Sequence, residues 1–365
     1  YPEMSLDHVM AVEHEGETVA ALVMIPQTRV LDGLALRVAE MGCVATHPDH
    51  RGRGLQRMLN EQFDIFAKRN GFDLCALAGI PYFYRQFGYE YAVDLDHSTS
   101  INADTIPYQA SSLEIRPFRE TDIEAASRML EDAQSRYHVR CPRTEAVWLM
   151  QQRTGYYNGE PFNSVAFIEG CELKAYMRYS LKKGEGSFIL KEAVLESPKY
   201  VSDVLSFVKE ACRKYGLNKV VSMQFYGDEP TLTLIGLGGE SVKPYAWQVK
   251  ILDYLGLLRK LVPLLELRLL RAGYGNLTET LNLNFRKFNI RVKVELGKIV
   301  CLEENDETGD RSIGLNPYVF PQMLLGYRSV GELIESYPDV RVSDSYKAIV
   351  EALFPKGQGY IFHIY

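Results

Sequence analysis

Long hydrophobic segments are absent from this sequence of 365 residues. Its most apolar segment, residues 254–270, still contains Arg259, Lys260, Glu266 and Arg268. A helix that crosses a bilayer needs about 20 predominantly apolar residues. The sequence therefore predicts a protein without a membrane-spanning helix.

Paired cysteines are absent as well. The 6 cysteines are scattered along the chain, with no Cys-x-x-Cys pair and no histidine at the spacing of a metal ligand. Zinc sites usually show such pairs, and dense disulfide frameworks are typical of small secreted proteins. We therefore predict buried, reduced thiols in a cytoplasmic protein that binds no metal.

An excess of positive charge is also missing, because 41 Lys and Arg residues stand against 47 Asp and Glu. The imbalance is concentrated at the beginning, where residues 1–110 contain 8 basic and 15 acidic side chains. A protein that holds nucleic acid through phosphate contacts needs a basic surface. The charges thus argue against a nucleic-acid partner and favour a cationic small molecule.

The composition that is present, with 46% hydrophobic and 24% charged residues, is that of a globular protein. At about 100 to 200 residues per domain, the length predicts two or three domains. Apolar and β-branched residues separated by turn signals predict an antiparallel meander at 9–12, 18–25 and 34–44. A helix beginning at Leu55 and a short strand at 72–78 follow.

The same order of elements recurs after residue 111, with a second meander expected at 164–168, 172–180 and 187–196. Residues 44–48, Val-Ala-Thr-His-Pro, correspond there to residues 194–198, Val-Leu-Glu-Ser-Pro. The distance from this proline to the glycine that ends the next helix is 23 residues in the first copy and 18 in the second. We interpret this as a diverged internal repeat whose second copy lacks a glycine-rich loop.

The remaining sequence predicts an apolar helix over 254–271, alternating strands and three short helices. We therefore expect an α+β (mixed α/β) protein of three parts. These are a first module at 1–110 and a second module at 111–246, each a mixed sheet flanked by helices, and a small α+β third domain at 247–365.

The most specific local pattern is Arg51-Gly52-Arg53-Gly54-Leu55-Gln56, between a predicted strand and a predicted helix. Two glycines allow a ligand to approach the backbone closely, and the amides of a helix's first turn attract anions. A pyrophosphate would suit such a loop. By itself, the pattern is equally typical of a solvated strand-to-helix turn.

With its surroundings, this loop resembles the GNAT (GCN5-related N-acetyltransferase) superfamily. That family has Q/R-x-x-G-x-G/A at this junction, and here only Gln56 departs from the pattern, in the place of Gly or Ala. Its second motif, Tyr-x-x-Phe-Gly-Phe/Tyr, is matched by Tyr84, Phe87, Gly88 and Tyr89. The resemblance implies that acetyl-CoA is the cosubstrate, with pantetheine along the strand end and pyrophosphate at the loop amides. The implied binding residues are Val44, Ala45, Thr46, Arg51, Gly52, Arg53, Gly54, Leu55 and Gln56.

The whole layout is similar to the enhanced intracellular survival (Eis) type of acetyltransferase, which has an active module, a module without its loop and a sterol-carrier-protein-like domain. This resemblance implies direct acetyl transfer to a primary amine of a cationic acceptor such as an aminoglycoside or polyamine. It also implies a homo-oligomer such as a hexamer, and a strand and two helices ahead of the first residue given.

For catalysis, the resemblance implies that Tyr84 protonates the leaving thiolate. Two groups remain candidates for the catalytic base. One is a carboxylate at Tyr365, which needs that residue to be the true terminus, and the other is Glu40 on the third strand. Tyr84 could also be a core residue. Two other functions stay open: a non-catalytic protein that binds acyl-CoA or an apolar ligand, and a lysine acetyltransferase that acts on proteins.

Overall fold

The computed structural model describes residues 2–95, 97–157, 159–224, 227–242, 245–305 and 313–361, without the side chain of Tyr157. The first module begins with the predicted meander and helix. Its elements are β1 (Val9–His14), β2 (Glu17–Leu31), β3 (Leu34–Thr46), α1 (Leu55–Arg69), β4 (Leu74–Leu77), β5 (Glu90–Asp94) and β6 (Ser98–Asn102). Helix α1 buries Leu59, Phe63 and Ala67, and this spacing of four residues is why an amphipathic helix forms here.

The second module repeats this order with additional helices. Its elements are β7 (Glu114–Pro117), α2 (Ile123–Gln134), β8 (Val139–Arg140), α3 (Glu145–Thr154), β9 (Tyr156–Tyr157), β10 (Glu160–Pro161), β11 (Asn163–Glu169), β12 (Glu172–Lys182), β13 (Ser187–Leu195), α4 (Val201–Tyr215), β14 (Lys219–Ser222), α5 (Glu229–Gly236) and β15 (Glu240–Val242). The meander predicted from the internal repeat is present as β11, β12 and β13.

The third domain begins with one strand and a long helix. Its elements are β16 (Ala246–Lys250), α6 (Tyr254–Arg271), β17 (Glu279–Asn284), β18 (Asn289–Glu295), β19 (Lys298–Asn305), β20 (Ile313–Gly314), α7 (Phe320–Leu324), α8 (Val330–Ser336), β21 (Arg341–Val342) and α9 (Asp344–Leu353). The apolar segment at 254–270 lies in α6, where Leu261 and Leu265 join a core cluster that includes Val38 of the first sheet. No helix in the described part of the chain is long and apolar enough to cross a membrane.

Three large sheets organise these elements. The first has the order β1-β2-β3-β4-β16-β5, the second β15-β6-β14-β13-β12-β11-β7, and the third β19-β18-β17-β20-β21. The mixed α+β fold class is thus confirmed. Strand β6, which the predicted boundaries assign to the first module, pairs with β14 of the second, and β16 lies between β4 and β5 of the first. Hydrophobic periodicity can predict such short strands. Which sheet each strand joins depends on contacts with residues distant in the sequence.

A partly buried ion cluster joins all three parts of the chain. His138 of the second module lies with its Nδ1 2.7 Å from the Asp32 carboxylate of the β2–β3 turn, and Arg268 of α6 lies 2.8 Å from the same carboxylate. The segment after α9 lies next to this cluster. The backbone N–H of His138 donates to the carbonyl of Gln358 in that segment at 2.7 Å. The three parts are therefore packed against one another rather than joined only by linkers.

Candidate functional site

Strand β3 separates from β4 along its carboxyl-terminal half. It pairs with β2 as far as Thr46, but its register with β4 covers only Val38 to Glu40. Cys43 adopts a left-handed backbone with a φ of 50°, close to a register shift against β2, so the strand bulges there. The backbone beyond Glu40 therefore borders an open groove in the described structure. The prediction of buried thiols is wrong for Cys43, which is exposed on this bulge, as it is for the exposed Cys171 and the half-buried Cys301. The only local signal of the bulge is the glycine that precedes Cys43.

The glycine-rich loop connects this strand end to α1. Gly52 and Gly54 have φ values of 74° and 77°, and a Cβ at either position would meet no atom within 4 Å. Backbone conformation rather than crowding therefore requires glycine at both positions. Helix α1 has no side-chain cap, and within the described residues the backbone amides of 52–56 donate to no protein group. Free first-turn amides and the helix dipole suit a phosphate ligand.

A cleft of about 810 Å³ lies between the strand end, the loop and the segment after β4. We call it the glycine-loop cleft. It brings together eight of the nine predicted cofactor residues: Val44, Ala45, Thr46, Arg51, Gly52, Gly54, Leu55 and Gln56. Arg53 is not in its wall, and its guanidinium donates instead to the carbonyl of Asp49 at 3.2 Å. Ile80, Phe83 and Phe87 give the opposite wall an apolar character.

Gln56, the residue that departs from the family pattern, has a definite structural role. Its side-chain amide donates to the carbonyl of Ala45 and to the hydroxyl of Thr46, both at 2.9 Å. These bonds tie the first turn of α1 to the end of β3, where glycine or alanine would leave the two elements unconnected. The departure therefore preserves the cleft.

Tyr84 reaches the same cleft from the 3₁₀ helix Phe83–Phe87. Its ring lies edge-on to Phe83 and Tyr89, with ring centroids at 5.0 Å and 6.2 Å, and packs so closely on Gly79 that a side chain there would collide with it. Burial raises the pKa of the Tyr84 phenol above its ordinary value, so the hydroxyl is a proton donor at neutral pH.

Glu40 does not face the glycine-loop cleft. Its carboxylate is buried, accepts a hydrogen bond from Gln27 and lies 3.5 Å from the guanidinium of Arg29. A base for an incoming amine must be within reach of that amine. This position therefore favours a structural role for Glu40 over the predicted catalytic one. The other predicted base, Tyr365, lies outside the described residues.

We expect Glu40→Gln to lower stability without changing the chemistry. The substitution leaves the Arg29 guanidinium buried without its counter-charge, and breaking a buried ion pair costs about 3 kcal/mol. Thermal denaturation should show a lower Tm, while the pH profile of kcat should keep its shape. A loss of activity of about 100-fold with an unchanged Tm would instead identify Glu40 as the base.

Between β13 and α4, where every residue is described, the second module has no equivalent loop. Helix α4 follows directly on the short 3₁₀ turn Pro198–Tyr200. Strand β13 also separates from its parallel neighbour after Leu190, but the side-chain amide of Gln224 fills the gap and donates to the carbonyl of Ala193 at 2.9 Å. The corresponding groove is thereby closed by the protein's own side chain.

Comparison with known proteins agrees with this geometry. Residues 2–92 match the family model described as an acetyltransferase (GNAT) domain. The fold is similar to a GCN5-related N-acetyltransferase from Anabaena variabilis, with 16% identity, a TM-score of 0.75, and coverage of 99% of this chain and 90% of that one. A probable N-acyltransferase from Enterococcus faecalis V583 is similar too, with 16% identity, a TM-score of 0.76, and coverage of 98% of this chain and 89% of that one. No curated protein has a significantly similar sequence.

Eis1 from Mycobacterium abscessus is a further structural neighbour, with 13% identity, a TM-score of 0.64, and coverage of 98% of this chain and 90% of that one. At these identities the likeness establishes the fold. The family model over residues 2–92 confirms the predicted GNAT acetyltransferase domain, and with it the prediction of an enzyme. The predicted sterol-carrier character of the third domain stays a prediction.

Proposed function

We propose that this protein, whose residues 2–92 form a GNAT acetyltransferase domain, transfers an acetyl group from acetyl-CoA directly to a primary amine of a cationic small molecule. One observation carries the proposal: the open end of β3 and the free loop amides meet in a single cleft that Tyr84 also enters. Pantetheine can pair with the strand end, and the pyrophosphate can lie on the amides of 52–56.

In this reaction, the amine nitrogen attacks the thioester carbonyl, a tetrahedral intermediate forms, and the C–S bond breaks to release CoA thiolate. The thiolate then takes a proton, and the ammonium formed at nitrogen loses one to a base. Tyr84 is the proposed donor to sulfur, because it is a protonated phenol at the wall of the cleft. No covalent enzyme intermediate is required.

For the base, we propose a chain-terminal carboxylate over Glu40, since Glu40 is buried against Arg29. Tyr365 supplies this carboxylate if it is the true terminus. The direction of the preceding chain supports this choice. Tyr360 pairs in parallel with Asp94 at the carboxyl end of β5, and β5, β4 and β3 all end at the same edge of the first sheet. That edge holds the glycine-loop cleft.

The acceptor class that we propose is a small molecule with several amines, such as an aminoglycoside or a polyamine. The excess of acidic over basic residues in the first module, 15 against 8, would attract such a cation. The resemblance of the sequence to the Eis type implies the same class. A cytoplasmic homo-oligomer, with a sterol-carrier-like third domain, completes the proposal.

An assay of CoA release with a thiol reagent tests this function. Purified protein is mixed with acetyl-CoA and, separately, with an aminoglycoside, a polyamine and a lysine-containing peptide. We expect turnover with the aminoglycoside or the polyamine. Turnover with the peptide alone would favour a protein acetyltransferase, and acetyl-CoA binding without release by any amine would favour the non-catalytic binding protein.

Gly54→Ala is expected to weaken acetyl-CoA binding about tenfold. The new Cβ would stand in the space where a phosphate meets the loop amides, although no protein atom lies within 4 Å of it. Gly16→Ala is the matched control, because Gly16 also has a positive φ, of 84°, and open surroundings. Both substitutions should cost about 1 kcal/mol of stability. Equal acetyl-CoA affinities of the two variants in calorimetry would contradict the loop assignment.

A further inference from the structure

A second cavity, of about 310 Å³, lies between β5, the third domain and the chain segment that follows α9. We call it the Asp94 pocket. Its wall includes Asp94, Leu325, Tyr327, Arg328, Glu332 and Lys356. None of its lining residues belongs to the glycine-loop cleft, so the pocket is a separate site.

Two of the four charged side chains in this pocket neutralise each other. Lys356 Nζ lies 2.6 Å from a carboxylate oxygen of Glu332. Lys356 and the backbone N–H of Ser329 hold the pKa of Glu332 down to about 2. This pair therefore stays ionised and has no net charge near neutral pH. The charge that a ligand could meet comes from Asp94 and Arg328.

Among the residues that the structure describes, the Asp94 carboxylate has no partner of its own. In the described structure, no cation and no hydrogen-bond donor reaches it, although the residue is half-buried. Burial alone raises its pKa to about 6. A half-buried carboxylate without a partner lowers the stability of the folded protein. Carboxylates perturbed in this way are common at functional sites.

Arg328 supplies the opposite charge. Its guanidinium donates to the hydroxyl of Ser336 at 3.2 Å, and within the described ranges no carboxylate forms an ion pair with it. Tyr327 lies within the electrostatic reach of both charges: burial raises the pKa of its phenol, the Asp94 charge raises it further, and the Arg328 charge lowers it. The pocket thus carries a free negative and a free positive group around one tyrosine.

We propose that the Asp94 pocket binds a small zwitterion, with its ammonium group at Asp94 and its carboxylate at Arg328. An α-amino acid or a short ω-amino acid has this chemistry. The ligand must be small, because about 310 Å³ is at the lower end of ligand-pocket volumes. Leu325 and Ala92 provide an apolar wall for its carbon atoms. The inference does not depend on acetyl transfer, since it concerns binding at another site.

Calorimetry without acetyl-CoA tests the proposal directly. The zwitterionic probes are L-alanine, β-alanine and 4-aminobutyrate, which differ in the separation of their charges. Ethylamine and propionate carry one charge each. We expect at least one zwitterion to bind at least tenfold more tightly than both single-charge probes. Asp94→Asn and Arg328→Gln should each reduce that affinity at least tenfold, whereas Glu351→Gln, an exposed carboxylate of α9, should not change it.

Two further readouts separate binding from a structural role. Asp94→Asn should raise the Tm in the absence of ligand, because it removes an unpaired, half-buried charge. Affinity of the wild-type protein should fall as the pH drops below about 6, where Asp94 becomes protonated. Among the described residues, the other titratable or charged groups around the pocket are Tyr327, Arg328, Glu332, Tyr337, Lys356 and, on the same strand, Glu90.

Three results would overturn the proposal. The first is that no zwitterion binds. The second is that ethylamine or propionate binds as tightly as the best zwitterion. The third is that zwitterion affinity is the same in Asp94→Asn, Arg328→Gln and the wild-type protein. None of these outcomes bears on the proposed acetyl transfer, which is measured by CoA release.

Discussion

Replacing Tyr84 by Phe is expected to lower kcat about 100-fold while leaving the KM for acetyl-CoA nearly unchanged. The hydroxyl is the proposed proton donor to the leaving thiolate, and a positioned general acid contributes about 10² to 10⁴ in rate. In the described structure this hydroxyl makes no hydrogen bond to protein, and the ring remains in the variant. The Tm should therefore stay within about 1 °C of the wild-type value, which excludes misfolding as the cause.

Tyr82→Phe is the matched control for this measurement. Tyr82 is two residues away and 70% exposed, and it does not line the glycine-loop cleft. Its variant should keep full activity. Because burial raises the pKa of Tyr84, the wild-type kcat should not fall on the alkaline side until the pH exceeds about 10. Equal kcat values for Tyr84→Phe and the wild-type protein would reject Tyr84 as the acid.

The largest effect on stability is expected at Arg143, inside the second module. Its guanidinium makes a two-fold ion pair with the Glu192 carboxylate at 2.9 Å and 2.6 Å, and both side chains are at most 1% exposed. The hydroxyl of Tyr176 donates to the same carboxylate at 2.8 Å. Arg143→Met leaves a buried carboxylate without its main counter-charge, which costs about 3 to 5 kcal/mol. Denaturant unfolding followed by tryptophan fluorescence should report this loss, because Trp148 lies against Arg143.

The control pair for this substitution is Arg153 and Glu120 on the surface, which also makes two hydrogen bonds, at 2.9 Å and 2.8 Å. Arg153→Met should cost no more than about 1 kcal/mol, because water screens exposed pairs. The double variant Arg143→Met/Glu192→Gln should recover part of the loss, since no unpaired charge remains. A similar cost for the two single arginine variants would contradict the buried-charge explanation.

Acidification should destabilise the protein through the same buried pair. Burial by itself raises the pKa of Glu192, but Arg143, Arg178 and Tyr176 outweigh it and bring the pKa to about 2. A carboxyl whose pKa is lower in the folded than in the unfolded state stabilises the protein at neutral pH. This contribution is present above the ordinary value near 4.5 and is lost as the pH falls towards about 2.

The sequence by itself determined the repeated order of elements, because hydrophobic periodicity and turn residues are local properties. The meander at β1 to β3, helix α1 and the loop with Gly52 and Gly54 all follow from residues close together in the chain. The five-residue loss in the second copy likewise indicated that only the first module has the loop. Family motifs then identified the cleft residues.

Only the tertiary structure decided which groups meet across the chain. Strand β16 enters the first sheet between β4 and β5, and Gln56 reaches back to Ala45. Glu40 is buried against Arg29 rather than turned to the cleft. Asp94, beside the third domain, has no partner among the described residues. Burial and pairing depend on side chains brought together from distant segments. The sequence alone therefore does not show whether a charged side chain will be buried or paired in the folded protein.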